Sequence, residues 1–280
     1  MSRKTKRNIF SFIILAALAG AAILLWPNTS VAPVNKAAEI PNVSQTVSAT
    51  KVVEEQKEAA QISASVLMYH HVGSLPEKAD TIRKGLTVSA EEFESHIKYL
   101  VDNDYQVMSF AKLDTLISQK KVPKKLVILT FDDGYDDNYN DALPIMKKYS
   151  VSGTFFIISN KVDSSEYMNQ DQLKGLILAG NEIGSHSVSH PSLEKYNGQA
   201  LEKELTKSKE DLEKITGSKI ISFCYPAGKY NDDTVKAVKD AGYKYAVTTV
   251  SSNGIIDLDN TFTIPRYRIS TGRNIEVLLK

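Results

Sequence analysis

The chain has 280 residues, a formal net charge of +1, 42% hydrophobic residues and 24% charged residues. This is the balance of a globular protein that is long enough for one sizeable core or two small ones. The near-zero net charge, without a basic stripe that carries interleaved aromatic residues, argues against a nucleic-acid partner.

The N-terminus predicts a membrane anchor. Four basic residues in MSRKTKRN precede an uncharged apolar run from Ile9 to Trp26. A helix over this run rises about 27 Å, close to the thickness of the hydrocarbon core of a bilayer. Basic residues before the run place the N-terminus inside the cell and the rest of the chain outside. We predict a single-pass anchor over 1–26, with a cleaved signal peptide as the alternative, and both export the remainder to the cell surface.

The segment after the anchor predicts an extracellular linker. Residues 27–61 are rich in Ala, Ser, Thr, Pro and Val and contain no aromatic residue. Such a composition does not build a packed core. The domain itself is predicted over 62–280, and it contains the only cysteine of the chain, Cys224, which excludes an intramolecular disulfide.

Strand and helix patterns alternate along this domain. The predicted strands are VLMY (66–69), YQVMS (105–109), LVILTF (126–131), GTFFIIS (153–159), EIGS (182–185), IISFCYP (220–226) and KYAVTTV (244–250). Helical patterns between strands are typical of parallel βαβ units. About seven such units in roughly 220 residues favour a distorted (β/α) barrel over a doubly wound sheet. In either architecture, the functional residues are expected where strands end and loops begin.

Two adjacent carboxylates, Asp132 and Asp133, follow the apolar strand LVILTF. Two neighbouring carboxylates at a buried strand end need a cation or a proton to offset their desolvation. The acids that come next, Asp136 and Asp137, are interpreted as a polar turn before the next helix. A calcium loop is disfavoured, because Asp141 stands where such a loop needs glycine.

Two histidines, His186 and His190, follow the predicted strand EIGS in the segment HSVSH. Neutral imidazole and carboxylate are common ligands of zinc-like cations. Two histidines and one aspartate leave an open position for water, which is the pattern of a catalytic metal site. The charge run EKELTKSKEDLEK (202–214) is interpreted as a solvated helix face without a function.

These residues resemble the polysaccharide deacetylases, known as the NodB-homology group or carbohydrate esterase family 4. The resemblance rests on TFDDG (130–134), HSVSH (186–190) and FCYPAG (223–228), and it covers the chain from Val66 to about Ser270. It implies a barrel of the NodB-homology type with one divalent metal ion, Zn²⁺ first and Co²⁺ or Ni²⁺ as alternatives. The residue roles that it implies are metal ligands at Asp133, His186 and His190, a general base at Asp132, an oxyanion-binding backbone N–H at Tyr225, and a wall of the sugar pocket that includes Pro226.

The chain departs from the common pattern of the family at three points. The third motif lacks its arginine, the only tryptophan is Trp26, and no histidine follows His190 to protonate the leaving amine. The exopolysaccharide branch of the family resembles a circular rearrangement of these motifs, and MYHHVG (68–73) matches its first motif. This resemblance assigns the acid to His70. The segment IPRYRIS (264–270) resembles the last strand of that branch, which implies that its Arg266 replaces the missing arginine near Asp132. His71 points to the opposite face of the strand and is interpreted as a core histidine.

The resemblance implies an N-deacetylase that removes acetyl groups from N-acetylglucosamine residues of an extracellular polysaccharide. The preferred substrate is poly-β-1,6-N-acetylglucosamine of the biofilm matrix, with peptidoglycan or chitin oligosaccharides as the alternatives. Other exopolysaccharide synthesis and export proteins are expected as partners. A non-catalytic polysaccharide-binding module is the alternative from another class of protein.

Overall fold

The computed structural model describes residues 61–279. The predicted anchor over 1–26 and all of the predicted linker except Gln61 lie outside the described residues. Within 61–279, none of the helices combines the length and the apolar character that a membrane span requires.

Twelve strands occur among the described residues. They are β1 (Gln61–Ser63), β2 (Ser65–Tyr69), β3 (His71–Val72), β4 (Thr87–Val88), β5 (Gln106–Met108), β6 (Leu126–Phe131), β7 (Thr154–Ile157), β8 (Glu182–Ser185), β9 (Ser222–Cys224), β10 (Tyr245–Ser251), β11 (Ile255–Asp257) and β12 (Ile264–Arg268). The α-helices of the same region are α1 (Thr81–Leu86), α2 (Ala90–Asp102), α3 (Phe110–Ser118), α4 (Leu143–Lys148), α5 (Gln170–Leu178), α6 (Gly198–Thr216), α7 (Asp232–Asp240) and α8 (Ile275–Leu278). A π-helix, Asn138–Ala142, leads directly into α4.

Seven parallel strands close into a barrel in the order β2, β12, β10, β9, β8, β7, β6, and β6 pairs again with β2. The predicted distorted (β/α) barrel is therefore confirmed. The ring differs in one strand from the seven that the strand and helix patterns predict, and the strand that it gains is the one that the resemblance implied over IPRYRIS. The predicted strand YQVMS forms β5, which pairs only with Leu126 to Ile128 of β6 and lies outside the closed ring. The strand IPRYR forms β12 and completes the ring between β10 and β2.

Both faces of the barrel strands are buried, so the strands are apolar runs rather than alternating patterns. On β6, Val127 and Leu129 pack outward under the helices, whereas Leu126 and Ile128 belong to a second cluster in the barrel interior. Glycine at position 184 of β8 admits a large interior side chain, because a Cβ there would lie 2.5 Å from the ring of Phe156.

The strand period of two decides which polar residues enter the interior. Val66 of β2 belongs to the interior cluster, and the same parity gives His70 an inward direction and His71 an outward one. On β6, the parity of Ile128 gives the same inward direction to Asp132. The polar interior residues at this end of the barrel therefore come from alternate positions of different strands.

Candidate active site

The parallel strands bring the residues predicted from sequence to one end of the barrel, because all the carboxyl ends of parallel strands meet there. The predicted residues that directly follow barrel strands are His70, Asp132, Asp133, His186 and Tyr225. His190 lies in the loop after β8, and Pro226 begins the short 3₁₀ helix Pro226–Gly228. Arg266 lies within β12.

Asp133, His186 and His190 form a cluster of three possible metal ligands. Oδ1 of Asp133 lies 3.4 Å from Nε2 of His186 and 3.6 Å from Nε2 of His190. Ligand atoms at about 2.0–2.1 Å from a zinc ion in tetrahedral geometry lie about 3.4 Å apart. The donor set and its spacing therefore fit a divalent cation of this size.

Unusual backbone conformations and one hydrogen bond orient the side chains of this cluster. Asp133 has φ of 73° and His190 has φ of 58°, conformations that non-glycine residues rarely adopt and that often mark functional sites. Nδ1 of His186 lies 2.7 Å from the carbonyl oxygen of Cys224. Because a carbonyl only accepts, Nδ1 carries a proton, and Nε2 is the ring nitrogen that faces Asp133.

A second set of three groups, Asp132, His186 and Cys224, also lies within 4.8 Å. The second set differs from the first because a cationic side chain already occupies it. The guanidinium of Arg266 lies 2.7 Å from Asp132 and 3.2 Å from the Cys224 sulfur. A cation is disfavoured beside a buried guanidinium. The set of Asp133, His186 and His190 is therefore the candidate metal site.

Arg266 binds both oxygens of the Asp132 carboxylate. Nη1 lies 2.7 Å from Oδ1 and Nη2 lies 2.7 Å from Oδ2, and Arg266 is only 1% exposed. Burial would raise the pKa of Asp132, but the charge and the hydrogen bonds of Arg266 hold it well below its usual value. Asp132 is therefore a fixed, ionised carboxylate beside the candidate metal site.

The remaining donors of Arg266 are also used. Nε donates to the carbonyl oxygen of Thr248, and Nη1 donates in addition to Oγ1 of Thr130. Between two registered pairs, β10 advances from Val247 to Ser251 while β12 advances only from Ile264 to Arg266, so β10 bulges here. Since a bulge leaves ladder groups without a cross-strand partner, it supplies the free carbonyl that Arg266 binds.

His70 also lies close to Asp132, with Nε2 3.9 Å from Oδ2. The residue is 9% exposed, and Nδ1 has no hydrogen-bond partner among residues 61–279. Burial lowers the pKa of His70 to about 4, although the carboxylates of Asp132 and Asp133 act in the opposite direction. The ring is therefore neutral near pH 7.

Two comparisons with known proteins decide the family. A family model described as polysaccharide deacetylase matches residues 119–246. The chain is 32% identical over 244 residues to the polysaccharide deacetylase homologue YxkH of Bacillus subtilis (strain 168), an alignment that covers 83% of this chain and 84% of that protein.

The chain belongs to the polysaccharide deacetylase family.

Further relatives agree with this family. The poly-beta-1,6-N-acetyl-D-glucosamine N-deacetylase of Staphylococcus aureus (strain MRSA252) is 31% identical over 201 residues, which cover 67% of this chain and 69% of that protein. The solved structure of the Streptococcus pyogenes deacetylase PplD in complex with acetate matches with a TM-score of 0.71 at 31% identity, over 78% of this chain and 96% of that chain. As a polysaccharide deacetylase, the protein is a hydrolase of linear amide C–N bonds. The prediction of an enzyme is therefore confirmed, and the alternative of a non-catalytic binding module is not supported.

The backbone N–H of Tyr225, which the resemblance assigns to the oxyanion, has a hydrogen-bond partner in this deacetylase. The backbone N–H of Tyr225 donates to the carbonyl oxygen of Val247 at 3.2 Å, and the side chain is fully buried with its hydroxyl on the carbonyl oxygen of Phe262. The N–H of Tyr225 is thus part of the β9–β10 ladder in this structure, and its oxyanion role stays a prediction. Pro226 is buried at the start of its 3₁₀ helix, and its role in the sugar pocket stays a prediction.

Glu204 of α6 has a partner that its sequence context does not predict, since it lies in the charge run interpreted as a solvated face. Its carboxylate accepts the backbone N–H groups of Val188 and Ser189, both at 2.9 Å, and the Ser189 hydroxyl at 2.7 Å. These residues form the loop between His186 and His190. Glu204 therefore holds the loop that places His190, one candidate metal ligand, beside His186, the other.

His71 also has a partner that the sequence does not predict. Nδ1 of His71 lies 2.7 Å from Oδ2 of Asp137, and the ring stacks on Tyr135. Asp137 was interpreted as part of a polar turn, but its carboxylate is turned towards the end of β2 and β3. The short spacing DDGYDD, which places several acids after one strand end, was the only signal available for this contact.

Proposed function

We propose that this deacetylase is a metal-dependent N-deacetylase that removes acetyl groups from N-acetylglucosamine residues of an extracellular polysaccharide. The observation that carries the proposal is the pairing of two different carboxylates at one strand end. Asp133 faces two histidines, whereas Asp132 is held by Arg266. A metal ligand beside a separate base is an arrangement that can hydrolyse an unactivated amide.

The preferred substrate is poly-β-1,6-N-acetylglucosamine of a biofilm matrix. The Staphylococcus aureus relative is named for this substrate and is 31% identical to this chain. The motifs MYHHVG and IPRYRIS resemble the same branch of the family, and both segments contribute to the site through His70 and Arg266. These two observations support the polymer, and the linkage is the point that an assay must decide.

Asp133, His186 and His190 would hold the divalent cation, with zinc as the first choice and cobalt or nickel as alternatives. When bound, such a cation lowers the pKa of a water molecule and polarises the acetamide carbonyl. The carbonyl oxygen of Cys224 keeps the ring of His186 in the tautomer that a cation needs.

Asp132 would accept the proton of the attacking water. Arg266 keeps this carboxylate ionised and fixes its plane, and Oδ1 retains a lone pair for a second hydrogen bond. General bases of this kind contribute about 10²–10⁴-fold to a rate.

His70 would deliver a proton to the departing amine. Its Nε2 lies 3.9 Å from Oδ2 of Asp132, about 1 Å beyond a hydrogen bond, so one bridging water or a small movement connects them. A neutral His70 can accept the proton that Asp132 has taken from water and pass it to the nitrogen. The acid would therefore be recharged within each turnover by the base beside it.

The predicted anchor and linker would place this enzyme outside the cell, tethered to the membrane or released to the surface after cleavage. Exopolysaccharide synthesis and export proteins would be its neighbours there. Each acetyl group that is removed frees an amine, so the polymer becomes cationic and is retained by an anionic envelope.

The assay compares oligosaccharides of two linkages. The full chain in detergent is incubated with β-1,6-linked and with β-1,4-linked N-acetylglucosamine oligomers, and free amine and acetate are measured. We expect release from the β-1,6 oligomers, and loss of that release in Asp132→Asn but not in Asp136→Asn, which changes an acid outside the site. A strong preference for β-1,4 oligomers would overturn the substrate in favour of chitin oligosaccharides or peptidoglycan, and unchanged turnover in Asp132→Asn would remove the base.

A further inference from the structure

The loop that follows the two catalytic-site aspartates binds the main chain of His70. Nδ2 of Asn138 donates to the carbonyl oxygen of His70 at 2.7 Å and to Oδ1 of Asp137 at 2.8 Å. Asn138 is fully buried and begins the π-helix, a rare form that is frequent at functional sites. The peptide bond between His70 and His71 is thereby fixed on its carbonyl side.

The same peptide is held on its other side through the ring of His71. Nδ1 of His71 lies 2.7 Å from Oδ2 of Asp137, so this one carboxylate receives both Asn138 and His71. The ring also stacks on Tyr135, with centroids 3.5 Å apart and planes 25° apart. His71 is only 2% exposed and, by strand parity, lies on the outer side of the strand, away from the reacting groups.

His70 depends on this support because its own ring has little. Catalytic histidines are usually oriented by a hydrogen bond to the second ring nitrogen. Nδ1 of His70 has no such partner among residues 61–279, and its Nε2 is 3.9 Å from the nearest carboxylate oxygen. The direction of the ring is therefore set by the position of its main chain.

We propose that His71, Asp137 and Asn138 are positioning residues, which orient His70 for proton transfer by clamping the peptide bond between the two histidines. This inference rests on the proposed function for its kinetic consequence, but the clamp itself has a readout that does not need activity. It gives the second histidine of MYHHVG a task that differs from that of the first.

Two substitutions of His71 distinguish the effect of its hydrogen bond to Asp137 from the effect of the size of its ring. His71→Ala removes the donor to Asp137, whereas His71→Asn places an amide nitrogen close to the position of Nδ1. His96→Ala is the matched control, because His96 is also a buried histidine that uses Nδ1, on the hydroxyl of Tyr69, and has no hydrogen bond to the main chain of His70. All variants are made in the full chain and compared at temperatures below their unfolding transitions.

The kinetic readout is the separate measurement of kcat and KM for acetate release. A misplacement of about 1 Å can cost about 10²-fold in rate, so we expect His71→Ala to lower kcat by roughly tenfold to 100-fold with little change in KM. His71→Asn should recover most of this loss, and His96→Ala should leave kcat unchanged. Equal losses in His71→Ala and His96→Ala, or no recovery in His71→Asn, would overturn the positioning role.

The second readout is the ¹⁵N–¹H spectrum of the imidazole of His70, assigned by its disappearance in His70→Ala. We expect the His70 signals to move in His71→Ala, to return in His71→Asn and to stay in place in His96→Ala. Unmoved His70 signals in His71→Ala would overturn the clamp even in an active enzyme. An inactive wild-type protein whose His70 signals respond as expected would instead overturn the proposed function and leave the clamp supported.

Discussion

At the scale of single residues, adjacent side chains in this deacetylase have different partners and therefore different chemistry. Asp132 is paired with a buried guanidinium, and Asp133 faces two imidazoles. His70 points towards Asp132, whereas His71 is bound to Asp137. Neighbouring groups with different environments are how one site holds distinct acid, base and ligand roles.

The two histidines of MYHHVG should differ in the size of their effects. His70→Ala removes the group that would protonate the amine, and we expect a loss of kcat of about 10²–10⁴-fold. His71→Ala should lose less, because the acid is still present but displaced. Acetate release by both variants, at saturating substrate, makes the comparison, and a larger loss in His71→Ala would show that the acid has been assigned to the wrong histidine.

Sequence reasoning found the residues whose chemistry is visible in a local pattern. The pair Asp132 and Asp133 follows an apolar strand, and His186 and His190 share one short segment, so each pair is conspicuous by itself. Glu204 and Asp137 were missed because their partners are backbone groups or residues distant in sequence. In a run of charged residues, the neighbouring sequence does not show which carboxylate will accept hydrogen bonds from a distant loop.

At the scale of elements, helix α6 and the loop after β8 form one unit. Glu204 accepts three hydrogen bonds from this loop and so fixes the distance between His186 and His190. Loss of groups that orient metal ligands commonly costs about 10–100-fold in metal affinity.

Glu204→Ala should therefore weaken zinc binding by roughly tenfold or more, within the range for such outer contacts. Glu210→Ala on the same helix is the control, since Glu210 is exposed and accepts no hydrogen bond from this loop. Competition with a chromophoric chelator measures both affinities. Equal zinc affinity in the two variants would mean that the loop holds its shape without Glu204.

Strand β12 and the bulge of β10 form a second unit, which encloses Arg266. Its guanidinium has a partner for every donor, so it neutralises Asp132 in the barrel interior without an unsatisfied N–H. The sequence resemblance implied the approach of Arg266 to Asp132. The bulge that makes room for it has no signature in the sequence KYAVTTV.

Arg266→Met should destabilise the protein by about 3–5 kcal/mol, because it leaves a buried carboxylate without its partner. Adding Asp132→Asn removes that charge, so the double variant should recover part of the lost free energy of unfolding while remaining inactive. Urea unfolding of the two single variants and the double variant measures the coupling. Additive losses would show that the two side chains do not depend on each other.

At the scale of the whole molecule, the alternation of strands and helices was enough to predict the barrel. One of the seven strands predicted from this alternation, β5, is not part of the closed ring. β5 resembles a barrel strand in sequence, but it reaches only half of β6, and the remainder of that edge pairs with β7. Which strand closes a ring depends on lengths and registers of distant segments, and a local pattern does not contain them. The short strands β1, β3, β4 and β11 were missed for the same reason.

A buried carboxylate, that of Glu182, lies at the end of the barrel opposite the candidate site. Glu182 accepts hydrogen bonds from the hydroxyls of Thr154 and Ser222 and from the N–H of Ala111. Burial nevertheless raises the pKa of Glu182 above its usual value, although these hydrogen bonds act in the opposite direction. The protonated form is therefore favoured more strongly in the folded protein than in the unfolded chain.

This raised pKa has a consequence for stability. The favourable contribution of Glu182 is complete below the pKa of the unfolded chain and is lost as the pH rises through the higher folded pKa. Glu182→Gln has no such titration and can keep all three contacts, so its stability relative to wild type should increase as the pH rises from 4 to 7. Urea unfolding of both proteins across this range measures the difference, and parallel pH profiles would contradict the assignment.

We propose that deacetylation requires a cation held by Asp133, His186 and His190 beside the base Asp132. The most direct measurement is acetate release from β-1,6-linked N-acetylglucosamine oligomers after exhaustive chelation, with residual metal determined by atomic absorption. We predict that activity disappears with the metal and returns on addition of zinc, cobalt or nickel to wild type, but not to His186→Ala. Full activity in protein shown to be free of metal would contradict the claim.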